Sequence, residues 1–332
     1  MRLKSLFFLL VVFCIASCAS KEIAEKVPEM YWPLPPEKPR IKFVDIVLGS
    51  VDSKMRVGKL KSFLFGAESD VRFTKPFGVA ATKERMYVTD IGGIYAFNFE
   101  KGEFKILGSS DLKIPSAIAV AGDRLYVGDV AGKGIYEYDA EGKFIRHFAA
   151  EKIDTAAGIA LDGKRQRIIV SDSKRHSVSI YSMDGKLLSS FGKRGTSPGE
   201  FNIPYGVTVD KEGRIYVVDS GNFRLQIFDE NGKFLKMIGS IGANPGNFAR
   251  PKGVAIDSDG DIYVLDSAFG NFQIFDFDGN TLLAVGNTGN EPAEFMLPSS
   301  IYIDERDKIY IADQINKRIQ IFQYLKEPEP KN

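Results

Sequence analysis

An aspartate recurs at Asp90, Asp129, Asp172, Asp219, Asp266 and Asp313, with successive spacings of 39, 43, 47, 47 and 47 residues. Around each one the same signals follow in order: a Pro-x-Gly-Val-like start, a turn, an Ile-Tyr-Val-x-Asp-like strand, a polar loop, an aromatic strand, a Gly turn and a further strand. A strand-built period near 40 to 50 residues cannot bury its apolar face as a single unit and predicts a propeller. The fourth unit, "PYGVTVDKEGRIYVVDSGNFRLQIFDENGKFLKMIG", shows every part. Alternation at Ile215 and Val217, then at Leu225 and Ile227, has the period of strands. Pairs such as Asn231-Gly232 and Asp278-Gly279 supply the positive backbone angles of tight hairpins. The prediction is an all-β chain with six four-stranded antiparallel blades over residues 41–325. The last unit stops after "RIQIFQYLK", and Ile41 to Leu48, "IKFVDIVL", is a strand without a blade. That strand is expected to complete blade six and close the ring, removing an exposed sheet edge.

The segments "VDSGNFRLQIFDENGKF" and "IADQINKRIQIF" resemble NHL repeats, a six-bladed propeller family found in bacterial envelope proteins and in several eukaryotic regulators. The resemblance spans roughly residues 40 to 325. Units four to six fit best, whereas units one and two carry "DIGGIYAFN" and "DVAGKGIYEYD" in place of the polar loop.

Arg2 and Lys4 precede an apolar run from Leu6 to Ile15, too short to span a bilayer and patterned as an export signal. It ends in Ile15, Ala16, Ser17, Cys18, which resembles a bacterial lipobox. The resemblance implies a signal over residues 1–17 and lipidation of Cys18; an ordinary secretory signal beside a stray cysteine is the competing reading. Ala19 and Ser20 follow rather than Asp, which by the same resemblance implies the outer membrane of a Gram-negative envelope. Residues 18–40 hold Pro28, Pro33, Pro35, Pro36 and Pro39 and read as an extended tether. Tyr31 and Trp32 within it have the character of a docking pair. Residues 326–332 read as a disordered tail. The only cysteines are Cys14 and Cys18, so removal of the signal leaves no possible disulfide.

Composition removes several classes of function. With 44 Lys plus Arg against 43 Asp plus Glu, the chain lacks the positive balance of a nucleic-acid carrier. There is no GxSxG elbow, no GxGxxG fingerprint and no phosphate loop. His147 and His176 are the only histidines. A zinc site of three or four nitrogen and sulfur ligands therefore cannot form, which excludes the amidating-lyase type of NHL enzyme. "DSDGD" from Asp257 to Asp261 puts its Gly too early for an EF-hand and reads as a hairpin turn. The six repeated Asp residues lie on different blades, too far apart to share one cation, and read as caps of their own loops. Phe73, Phe201, Phe248 and Phe295, each three residues before a proline, read as plugs between blades.

One constellation remains, on the loop face around the mouth of the channel. Arg175, His176, Arg194, Arg224, Lys252, Lys317 and Arg318 fall in these loops with Tyr205, Phe223 and Phe269, accompanied by Lys174, Lys193 and Arg250 and diluted by Glu200, Glu291 and Glu294. Arginine beside aromatics suits planar anions or a partner's acidic patch; a mixed-charge solvated surface is the bland alternative. Two functions follow. One is a lipid-anchored interaction module for an envelope protein or an anionic ligand, with no cofactor, no catalytic residue and no nucleic acid. The other resembles the gluconolactonases, propeller hydrolases that hold calcium with acidic and Asn side chains. The positions that would face the mouth, Phe77, Ser116, Ala157, Tyr205, Lys252 and Ser299, are poor calcium ligands.

Overall fold

Six antiparallel sheets surround a central channel in the computed structural model, which describes residues 29–52, 70–108 and 110–326. Cys18, the export signal and residues 327–332 lie outside the described residues. Blade one comprises strands Val79–Ala81, Arg85–Asp90, Gly93–Asn98 and Glu103–Leu107, and blades two to five repeat the four-stranded meander. Blade four, with Pro204–Val209, Ile215–Asp219, Arg224–Phe228 and Phe234–Ile238, is the most regular in sequence. Innermost strands of successive blades touch all the way round, blade six meeting blade one.

Blade six takes its strands from both ends of the described chain. Ile41–Val47 pairs antiparallel with Arg318–Tyr324, from Ile41 opposite Tyr324 to Val47 opposite Ile319. A register shift between Phe43 and Asp45 reverses which side chains face which way. As a result Ile41, Phe43 and Ile46 pack toward blade five, while Val44 and Val47 pack toward blade one. Within the proline-rich segment Met30 and Trp32 pack on blade six, while residues 34–38 stay exposed. Tyr31–Trp32 adds a short fifth strand to blade six, and the Trp32 ring lies 6.0 Å from that of Phe322. The physical reason is the aromatic pair, whose apolar area is better buried against Phe322 than left in water.

Glycine of the Pro-x-Gly-Val start is required by close approach. A Cβ on Gly206 would lie 2.6 Å from the Lys252 carbonyl, and one on Gly158 2.7 Å from that of Tyr205. Successive inner strands can therefore meet around a narrow channel. Between blades the space is filled by aromatics: Phe201 is fully buried, 5.6 Å from Phe228, in a cluster with Val178, Ile180, Val207 and Val217. Phe73, Phe248 and Phe295 occupy the equivalent seams.

Each repeated Asp binds two loops together. Asp129 accepts the N–H groups of Ala131 and Gly132 in its own loop and those of Lys113 and Ile114 from the loop leading into its blade. Asp172 and Asp266 do the same, with Asp154, Thr155, Lys174 and Arg175, and with Ala249, Arg250, Ala268 and Phe269. Asp90 takes Thr74, Lys75 and Ile91; burial raises its pKa and these backbone donors oppose the rise. In blades four and six side chains replace part of that set. Asp219 accepts from Asn202 N–H, Asn222, Arg224 and Gln226, and Asp313 from Met296 N–H, Asn316, Arg318 and Gln320. The arginine forks then extend to the carbonyls of Ser197 and Glu200, and of Asn290, Glu291 and Glu294, so that one buried network fixes each long loop between blades.

Two stability outcomes follow from these contacts. Phe43 is 1% exposed, so Phe43→Ala lowers unfolding free energy by about 3–5 kcal/mol in a denaturant titration; a loss below about 1 kcal/mol would mean that the strand does not seal the ring. Arg224 and Asp219 are 9% and 0% exposed at 2.9 Å, so Arg224→Ala leaves a buried carboxylate short of donors and costs about 3–5 kcal/mol, whereas a solvated loop arginine would cost almost nothing.

Candidate functional site

The second residue of each Pro-x-Gly-Val-like start faces the channel mouth, because its neighbours on either side are fixed in the inter-blade packing. These residues are Phe77, Ser116, Ala157, Tyr205, Lys252 and Ser299, at one end of a cavity of about 250 Å3. Hydroxyls clasp neighbouring blades there. Ser299 donates to the Phe77 carbonyl at 2.7 Å, Thr89 to that of Ser116 at 3.3 Å, Ser116 to that of Ala156 at 3.0 Å, and Ser171 to that of Tyr205. These oxygens are engaged in holding the ring.

Lys252 differs from the rest of the wall. Its ammonium lies 3.5 Å from the centre of the Tyr205 ring, within cation–π range, and has no carboxylate partner among the described residues. Burial pulls its pKa down to about 8, and the charge of Arg250 adds to the effect. Burial pushes the Tyr205 phenol up. Deeper in, the aliphatic side chains Ile118, Ile159, Val207, Val254 and Ile301 share the wall with Thr208, Ser300 and backbone groups, and Tyr302 lies toward the far end. Among the described residues that line the channel there is no carboxylate, carboxamide or imidazole. Calcium needs roughly six to eight oxygen ligands, and this wall offers hydroxyls already bonded across blades. The donor set does not fit that ion.

Of the basic residues expected on the face, Arg224 and Arg318 require correction. Both begin the third strand of their blades and point inward, bonded to Asp219 and Asp313 at 2.9 and 2.7 Å and almost wholly buried. A contact role in solution is closed to them because their guanidinium donors are already used. Arg175 is exposed but held by Asp154 at 2.8 Å and by the Glu151 carbonyl. His176 accepts a hydrogen bond from the Ile203 N–H at Nδ1. His176, Phe223 and Lys317 all adopt left-handed backbone, with φ of 56°, 56° and 54°, as the turn after the repeated Asp demands. Phe223 and Phe269 are half-buried, and Arg194, Arg250 and Lys317 are exposed. Lys193 is paired with Glu200 at 3.3 Å. His147 stacks on Tyr136 at 4.1 Å on an outer strand, away from the mouth.

Sequence reasoning missed an apolar arc on this face. Ile91, Ile114, Val130, Ile203, Met296, Leu297 and Ile315 are 38 to 49% exposed, and most lie in the loops of blades six, one and two. Ile114 and Val130 are joined by a backbone hydrogen bond, as are Met296 and Ile315. Their signal was an aliphatic residue directly before the blade proline or shortly after the repeated Asp. Cations and aliphatics are interspersed on the face: Lys317 stands beside Ile315 in blade six, and Ile203 is exposed in blade four. On the opposite face, the Asp257 to Asp261 turn is neutralised by Arg40 on Asp261 and Lys326 on Asp259. No group of acidic or histidine side chains suited to a metal occurs among the described residues.

Known structures of similar shape share the fold at low identity. A protein of unknown function from Bacteroides thetaiotaomicron is 18% identical with a TM-score of 0.61, covering 78% of this chain and 71% of its own. An auxiliary nutrient binding protein from the same organism is 14% identical with a TM-score of 0.61, covering 76% and 70%. A gluconolactonase from Xanthomonas campestris is 17% identical with a TM-score of 0.58, covering 76% and 87%. No curated protein matches the sequence. The model of the family DUF5128, described as a 6-bladed beta-propeller, matches residues 160–222, 209–268 and 257–326, together half of the chain. With blades four and five and most of blades three and six inside those matches, the chain belongs to the DUF5128 family of six-bladed beta-propellers.

Proposed function

We propose that the protein is a lipid-anchored binding module of the cell envelope, with NHL-type blades, whose mouth face holds a protein partner or an anionic ligand. The observation that carries this reading is the inventory of that face among the described residues: Arg194, Lys252 and Lys317 without a salt bridge, exposed aliphatics beside them, and neither a nucleophile with a base nor a carboxylate cluster in the channel. A rigid platform of this kind spends little ordering entropy on association. Exposed aliphatics rimmed by charge are typical of contact surfaces. The nutrient-binding neighbour is consistent with a binding role on this fold. The resemblance of Ile15 to Cys18 to a lipobox, followed by Ala19 and not Asp, supports an outer-membrane address.

Arg194→Glu combined with Lys317→Glu leaves folding intact, because both side chains are exposed, and reduces cross-linked partner capture from envelope preparations by roughly tenfold or more. Cross-links that map to the outer strands, or capture that survives the reversal, would remove the mouth face as the contact surface. Metabolic labelling with palmitate marks the wild-type chain and fails with Cys18→Ser; equal labelling of both would refute the anchor.

A further inference from the structure

The Lys252 and Tyr205 pair has chemistry beyond that of a general contact face. A lysine with no acidic partner among the described residues, packed over an aromatic ring at the rim of a channel whose wall mixes aliphatic side chains with hydroxyl and backbone groups, is an electrostatically incomplete arrangement. Burying a cation without an anion is unfavourable, and the cation–π contact offsets only part of that cost. The fold does not require the charge: the same position in the other blades is Phe77, Ser116, Ala157, Tyr205 and Ser299. The Tyr205 hydroxyl has no hydrogen-bond partner among the described residues, so it is a second donor available at the same place.

We propose that the channel mouth is a binding site for a small carboxylate with an apolar tail, the carboxylate paired with Lys252 Nζ and the tail inserted among the aliphatic side chains of the inner strands. Arg250, whose charge is felt at Lys252, adds attraction for an anion. The cavity of about 250 Å3 lies below the roughly 300–1,000 Å3 of pockets for drug-sized ligands, which restricts the ligand to a short chain or a single ring. A carboxylate that replaces water around Lys252 completes the pair, and burial then strengthens the contact. Inorganic phosphate satisfies the charge but leaves the walls unfilled; a neutral alcohol does the reverse.

This site rests on reading the mouth as a binding surface and concerns the channel, not the outer loops, so it is tested separately from partner capture. Isothermal titration of the whole protein with octanoate, octanol and inorganic phosphate is the direct experiment. Octanoate binds, and the other two bind roughly tenfold or more weakly. Lys252→Met reduces octanoate affinity by roughly tenfold or more, while Lys252→Arg retains most of it. Thermal unfolding of Lys252→Met is unchanged or shifted upward, since the charge removed is unpaired, which separates loss of the site from loss of fold. Lys252 must be protonated to pair with the ligand, so affinity is full below the pKa of about 8 and falls as pH rises through it, octanoate itself being ionised throughout. Octanoate that fails to bind, that binds Lys252→Met equally, or that binds alike on both sides of pH 8 overturns the site. Intact octanoate binding with partner capture unaffected by the Arg194 and Lys317 reversal would instead overturn the outer-face reading alone.

Discussion

A carboxylate buried at the end of each blade's second strand must be surrounded by donors, because left unpaired it would cost several kcal/mol, and the donors available are those of the two loops flanking the mouth of that blade. Asp129 and Asp266 gather four backbone N–H groups each, from their own loop and from the loop leading into the blade. Asp219 and Asp313 recruit Arg, Asn and Gln side chains as well, which in turn hold carbonyls of the long inter-blade loops. Loops that would otherwise be mobile surface segments thus become a fixed rim, and the rim sets where Tyr205 and Lys252 stand. The arrangement of the mouth follows from satisfying six buried charges.

The same bonding divides the basic residues into two populations. Arg224 and Arg318 are part of the scaffold, because their partners are interior carboxylates and carbonyls. Arg194, Arg250, Lys252 and Lys317 form no salt bridge among the described residues. Exposed cations and aliphatics alternate around the face, while net charge is nearly zero for the whole sequence.

Much of the fold was legible in the sequence because its signals repeat. The spacing of Asp90 through Asp313 gives the blade count, and Ile41 to Leu48 stands out as a strand with no partner nearby in sequence. The buried plugs Phe73, Phe201, Phe248 and Phe295 were legible from their fixed distance to a proline. The site was less so. Arg224 sits where a loop becomes a strand, and period-two alternation alone does not say which face its first residue takes when Asp219 is five residues back. Ile91, Ile114 and Met296 look like core residues in a sequence; their exposure depends on how neighbouring loops pack, which no local pattern encodes. The docking of Trp32 likewise depends on Phe322, almost three hundred residues away in the chain.

Amide hydrogen exchange of Asp219→Asn against the wild-type chain tests the pinned rim most directly, since the change keeps the size of the side chain while removing its charge. Exchange at residues 195–203 and 220–224 should accelerate by roughly tenfold or more while the strands of the other blades keep their protection. Unchanged exchange in those loops, or a uniform loss of protection around the whole ring, would contradict the claim that the buried carboxylate holds the mouth.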